Sequence, residues 1–313
     1  MKKLFIKLGI LFICCGIILV AVDRYTRGDY SSFQKRYAAM PEKFIVANTG
    51  DSHARAAFNY DEFDIAGFNF GMTSQTLPYD YNLVKQYMGR FDEGAVLLIV
   101  VSYYTPWADD SDDQQKSDRD IRYIGILDDI PNTRLVDNLV NRYLPVLTLP
   151  DRRILSIFRP NEPDMMDDEE IAASGMTMEE IGKNRAEYHM RHIVKDGAIK
   201  PFNDDNIRIL GDMVSLADEN GVKCVIMTTP YTNAYTMGFD EEILEIFFQK
   251  MNEVAVMNDI SFWDYSTDER FTSSDDNFRD SDHLNAEAAK AFTGIVIDRL
   301  ISEGLLNDIG GDV

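Results

Sequence analysis

The chain is poor in the residues that would make several explanations easy. It has three cysteines in 313 residues. Cys14 and Cys15 are neighbours in an apolar N-terminal run, and Cys224 stands alone in an apolar segment. No internal disulfide framework and no cysteine metal site follow from that spacing. Histidine is scarce too: His53, His189, His192 and His283 are all there are. His189 and His192 fall at i, i+3 on an expected helix. They read as a solvated face rather than a metal pair, so no metal and no cofactor is expected. Positive charge is short as well, with 31 Lys and Arg against 53 Asp and Glu and a formal net charge of −22. Such a chain repels nucleic acid and anionic lipid, and the acidity reads as a solvated surface.

What is present begins with a long apolar run. Met1-Lys2-Lys3 precedes LFIKLGILFICCGIILVAV, residues 4–22, which is uncharged from Leu8 to Val22. With Lys7 snorkelling, it approaches the roughly 20 residues of a spanning helix. No A-x-A site follows, and Phe12 and Ile13 before Cys14 are too bulky for a lipoprotein signal. The expectation is an uncleaved signal anchor over residues 1–22. Lys2, Lys3 and Lys7 favour an inside N-terminus, while Arg24, Arg27, Lys35 and Arg36 blunt that bias. Residues 23–42 are polar and mixed, and read as a tether.

From residue 43 the pattern is α/β. Short apolar runs at 43–48, 64–70, 95–103, 223–229 and 260–264 read as buried parallel strands. Amphipathic stretches separate them. One carries Leu83, Val84, Tyr87 and Met88 on a face; another carries Ile207, Leu210, Val214 and Ala217 and stops at Gly221. A third holds Leu244, Phe247, Phe248, Met251 and Val254, and the last begins after Asn285 as cap. Strands alternating with helices mean an open parallel sheet. Residues 105–205 break the rhythm. They are acidic and turn-rich, with possible helices near 134–147 and 178–195, and read as a helical insertion in a domain spanning 43–305.

In an open parallel sheet, reactive groups collect beyond the carboxyl ends of the strands. Ser52 follows the first run, Gly71 ends the second, Ser102 ends the third, and His283 follows the last. In FRDSDHLN, Asp280 stands three residues before His283 and can bend back to accept its Nδ1–H, leaving the other ring nitrogen free to take a proton from Ser52. Asp282 reads as a surface or capping residue. The plain alternative is that Asp51 or Ser52 merely caps a helix and His283 merely packs at a helix start.

Here the chain resembles the SGNH/GDSL hydrolase superfamily. ANTGDSHA is similar to its first block, Gly71 in FNFGMTSQT to its second, and Asp280 and His283 to its D-x-x-H block. The likeness spans roughly 43–104 and 206–303. It implies a flavodoxin-like three-layer sandwich, a Ser52-His283-Asp280 triad, and an oxyanion hole from the Ser52 and Gly71 backbone N–H groups. One block departs: the family usually offers G-x-N-D after the third strand, but VSYYTPW stands here, so Ser102 or a nearby backbone N–H would have to act as third donor. The departure, the anchor, the S-H after the turn and the D-H-L-N ending are more similar to membrane-anchored SGNH-like proteins that accompany membrane-bound O-acyltransferases in acylating teichoic acids or exopolysaccharides. That subset implies an extracytoplasmic domain on a single-pass anchor, a membrane-bound O-acyltransferase as partner, and a cell-envelope glycan or polymer as acceptor. Three functions stay open: an O-acyltransferase component, an esterase using the same triad with water, and a non-catalytic scaffold.

Overall fold

A computed structural model describes residues 2–27, 31–109, 119–120, 122–143 and 175–307. The chain divides into two compact units, Met1–Met40 with Asp110–Pro163, and Pro41–Asp109 with Asp164–Val313.

The first unit holds α1 (Lys2–Arg27) and α2 (Ser31–Ala38). Within α1, Lys3–Arg24 is long and apolar enough to cross a membrane, with a mean hydropathy of 2.8. The expected tether at 23–42 therefore carries the end of one helix and all of a second. The cause is a short apolar stripe: Phe33 and Tyr37 are one helical turn apart, and Tyr37 and Met40 are buried. Gln34 of α2 donates to the Ile124 carbonyl at 2.8 Å.

The second unit is a five-stranded sheet in the order β2-β1-β3-β6-β7. Its strands are β1 (Phe44–Asn48), β2 (Gly67–Asn69), β3 (Phe91–Val100), β6 (Lys223–Met227) and β7 (Ser261–Trp263). Every neighbouring pair is parallel, as Val46 opposite Gly67, Leu98 opposite Val225 and Met227 opposite Trp263 illustrate. The five apolar runs are thus strands, and in the flavodoxin-like order. The further helices of six residues or more are α3 (Ser52–Ala57), α4 (Leu77–Tyr87), α5 (Leu135–Tyr143, in the first unit), α6 (Met178–Ile193), α7 (Asp204–Asp218), α8 (Glu241–Met257) and α9 (Ala286–Ser302).

From Ala95 to Val100 both faces of β3 are buried, which is why that run is apolar without alternation. Val96, Leu98 and Val100 share a core with Ala54 and Ala57 of α3 and Phe292, Val296 and Leu300 of α9. The alternate residues Leu97 and Ile99 point to the opposite face, where Leu210 and Met213 of α7 and Leu83 of α4 are also buried. Asn285 caps α9 by accepting from Ala288 N–H at 2.9 Å.

The insertion holds α5 and α6 close to the two expected helices, but it also contains an antiparallel hairpin, β4 (Val194–Lys195) with β5 (Ala198–Ile199), that no apolar run announced. Its tight turn uses Asp196 and Gly197, both at positive φ. Residues 110–118, 121 and 144–174 of the expected insertion lie outside the described residues.

Candidate active site

The carboxyl end of β1 turns sharply at Gly50, whose φ is +121°. A Cβ there would meet Ala54 Cβ at 2.7 Å and Val100 Cβ at 3.0 Å, so the turn requires glycine. Asp80, in the first turn of α4, accepts the Gly50 N–H at 2.9 Å. Asp51 then caps α3 by accepting His53 N–H at 2.9 Å, which leaves Ser52 as the first helical residue. The capping role thus falls to Asp51. Ser52 is free of it: among the described residues neither its hydroxyl nor its N–H has a partner, and the N–H is one of the open donors of a helix N-terminus.

Across the rim, in the loop between β7 and α9, Asp280 grips His283. Its two oxygens lie 2.8 and 2.9 Å from His283 Nδ1, and Oδ1 also accepts the His283 backbone N–H at 2.9 Å. His283 is buried and its Nε2 has no hydrogen-bond partner. An imidazole oriented at one nitrogen and open at the other is the arrangement a general base requires. Ser52 and His283 make no hydrogen bond to each other here. Their neighbourhoods do meet, since the ring of His53, beside Ser52, lies 5.0 Å from the His283 ring.

The other two oxyanion candidates are engaged elsewhere. Gly71 N–H donates to Asn69 Oδ1 at 2.8 Å. Asn69 is a hub: Asn48 also donates to its Oδ1 at 2.8 Å, and its own amide binds the Ala54, Arg55 and Phe58 carbonyls, closing the C-terminal end of α3. A Cβ on Gly71 would lie 2.7 Å from Arg55 N, which explains the glycine by close approach. The Ser102 hydroxyl donates to Asp51 Oδ2 at 2.6 Å, and its backbone N–H donates to Thr105 Oγ1 at 2.9 Å.

Two histidines sit differently from their sequence reading. His189, expected on a solvated face, is buried and bonded through Nδ1 to the Tyr235 hydroxyl at 2.6 Å. Burial lowers its basicity to a pKa of about 3. His53, to which the sequence assigned no role, is 1% exposed and lies between Ser102 and Asp282. Asp282 is not a surface residue but is 1% exposed, with Oδ2 at 2.9 Å from His53 Nε2. The signal for both was the S-H and D-H dipeptides; Asp282, the neighbour of His283, reaches across to His53.

Ser102, His53 and Asp282 form a hydrogen-bonded Ser-His-Asp series, but Ser102 is 1% exposed and its proton is committed to Asp51, so it is not an accessible nucleophile. His53, Asp282 and His283 offer donor atoms within 4.8 Å of one another. A divalent cation there would have to displace the proton that joins His53 to Asp282. A cavity of about 630 Å³ opens at the opposite edge of the sheet, where β6 and β7 begin, lined by Val214, Asp218, Cys224, Asn258, Ser261 and Leu305; none of the reactive groups reaches it.

No protein-family model matches this chain, and no curated protein matches it by sequence. Solved structures do resemble it in fold. A candidate acylhydrolase from Bacteroides fragilis is 13% identical, with 88% of this chain and 97% of the other covered at a TM-score of 0.44. A GDSL-like lipase from Bacteroides thetaiotaomicron is 11% identical, with 88% and 98% covered at 0.41. A lipase/acylhydrolase from Enterococcus faecalis is 9% identical, with 82% and 95% covered at 0.35.

Proposed function

We propose that this chain is a membrane-anchored serine acyl-transfer enzyme of SGNH type, with Ser52 as nucleophile, His283 as base and Asp280 as the group that orients it. The observation that carries this reading is the buried His283, held at Nδ1 by both oxygens of Asp280 and open at Nε2, on the same rim as an unpartnered Ser52. In the reaction Ser52 Oγ attacks an acyl carbonyl while its proton passes to Nε2. The proton then goes to the leaving group as the carbonyl carbon–leaving-group bond breaks. An acceptor hydroxyl next attacks the acyl-serine, gives its proton to Nε2, and the Ser52 oxygen recovers it. In this reading the open Ser52 N–H stabilises the oxyanion in both steps.

The acceptor we favour is a hydroxyl of a cell-envelope glycan, with the acyl group delivered by a membrane-bound O-acyltransferase and the domain held outside the cytoplasm by α1. The apolar Lys3–Arg24 segment supports the anchored reading.

The test uses the full chain in lipid nanodiscs. A serine-directed fluorophosphonate is expected to label Ser52, to fail on Ser52→Ala and to label His283→Ala far more slowly. With an activated acyl ester, turnover is expected to be slow in water and to rise when a polyhydroxylated acceptor is added. Rapid turnover with water alone would establish the esterase reading instead. Absence of labelling, with surface acylation unchanged in cells carrying Ser52→Ala, would leave a non-catalytic scaffold.

A further inference from the structure

His53 is hydrogen-bonded at both ring nitrogens, yet the proposed reaction does not use it. The hydrogen bonds determine its charge. Asp51 receives only donors: the His53 backbone N–H at Oδ1, 2.9 Å, and the Ser102 and Tyr104 hydroxyls at Oδ2, 2.6 and 2.7 Å. Ser102 has one hydroxyl proton, and Asp51 takes it. At its 2.7 Å contact with His53 Nδ1, Ser102 Oγ therefore accepts, and Nδ1 carries a proton. On the other side Nε2 faces Asp282 Oδ2 at 2.9 Å. Asp282 also receives the Ser281 hydroxyl at Oδ1, 3.0 Å, and faces Arg185 at 3.6 Å, so it is a carboxylate and Nε2 also donates. A ring that donates from both nitrogens is an imidazolium.

We propose that His53 is a permanently charged clamp, a positioning residue that ties the Ser52 turn, through Asp51, to the His283 loop, through Asp282, and offsets the two carboxylates beside the base. The charge on His53 follows from the hydrogen bonds alone; its consequence for the base rests on the acyl-transfer reading. The clamp also accounts for the missing asparagine after β3: Ser102 stands there to complete the His53–Asp51 contact.

The charged and titratable groups facing His53 come from every side. Asp51 lies in its own turn. Ser102 and Tyr104 follow β3, and Tyr104 stacks near His189. His189 and Arg185 come from α6, Tyr231 and Tyr235 follow β6, and Asp282 and His283 precede α9. Burial opposes the charge, but Asp51 and Asp282 outweigh it and push the imidazole up to about 10.

Two measurements on the full chain in nanodiscs test this. With 15N-labelled histidine, the His53 ring is expected to show both nitrogens protonated at pH 8.5. A neutral ring at that pH overturns the proposal, with no variant needed and whether or not Ser52 reacts. The second measurement is the pH profile of Ser52 labelling in His53→Gln and His53→Asn, which keep hydrogen bonding and remove charge. Labelling is expected to slow, with its acid limb moved up by about one to two pH units, the scale of a lost unit charge roughly 5 Å from the base. Slower labelling with an unmoved acid limb would mean that His53 only packs, and the clamp would be wrong. An unmodified chain that never labels at Ser52 refutes the acyl-transfer reading, while the nitrogen measurement still decides the charge.

Discussion

Asp80 offers the sharpest test of how the Gly50–Ser52 turn is held. It is 2% exposed, accepts the Gly50 N–H at 2.9 Å, and also accepts from the Gln75 side-chain amide. Burial is the largest influence on its acidity and raises it. The Gln75 and Gly50 hydrogen bonds lower it, the charge of Asp51 raises it again, and the result is about 7 against an ordinary 3.8. A carboxyl raised in this way binds a proton in the folded state that the unfolded chain has released. Its contribution to stability is therefore fully present below pH 3.8 and is lost as pH rises through about 7. At about 1.4 kcal/mol per unit, the loss amounts to about 4 kcal/mol. Asp80→Asn retains the acceptor oxygen for Gly50 and carries no charge at any pH. The expected result is a variant more stable than the natural chain at pH 8.5, by about 5–10 °C in melting temperature, and close to it at pH 4. Asp80→Ala removes the acceptor and leaves the buried Gly50 N–H unpaired, so it should be less stable at both pH values, by about 1–3 kcal/mol. The assay is thermal melting of the purified full chain in detergent at pH 4, 6 and 8.5. An Asp80→Asn advantage that does not widen with pH would refute the reasoning, because it would mean that the carboxyl is already solvated as an anion.

Asp280→Asn should leave the fold intact and slow Ser52 labelling by about 10³–10⁴-fold, since an amide no longer fixes the His283 tautomer from Nδ1; a loss under tenfold would remove Asp280 from the machinery. Gly67→Ala places a Cβ 2.4 Å from the Tyr60 ring, so melting should reveal a destabilisation of about 1–3 kcal/mol, and an unchanged melting temperature would show that Tyr60 swings away freely.

The fold was largely legible in the chain. Apolar runs of five to nine residues between amphipathic stretches locate β1, β2, β3, β6 and β7 within a few positions, because a strand covered on both faces has no use for polar residues. The hairpin Val194–Ile199 was not legible, since two-residue strands have no periodicity to detect. Nor was α2, whose stripe is only Phe33 and Tyr37 in a polar segment.

For the site, the division follows sequence separation. The local D-x-x-H spacing determined that Asp280 holds His283, since three residues of loop bring the carboxyl back to its own neighbour's ring. The order of segments likewise determined that Ser52, Gly71, Ser102 and His283 belong to one rim, because each follows a parallel strand. Only the tertiary structure decided how those groups are paired. Gly71 gives its N–H to Asn69 and Ser102 gives its proton to Asp51, both choices of side-chain rotamer that no spacing encodes. It also decided that Asp282 is buried against His53, a contact between residues 229 apart in the chain. Such a pair is visible only once the sheet has set the two loops side by side, and burial then requires each polar group to find a partner from whichever segment lies within reach.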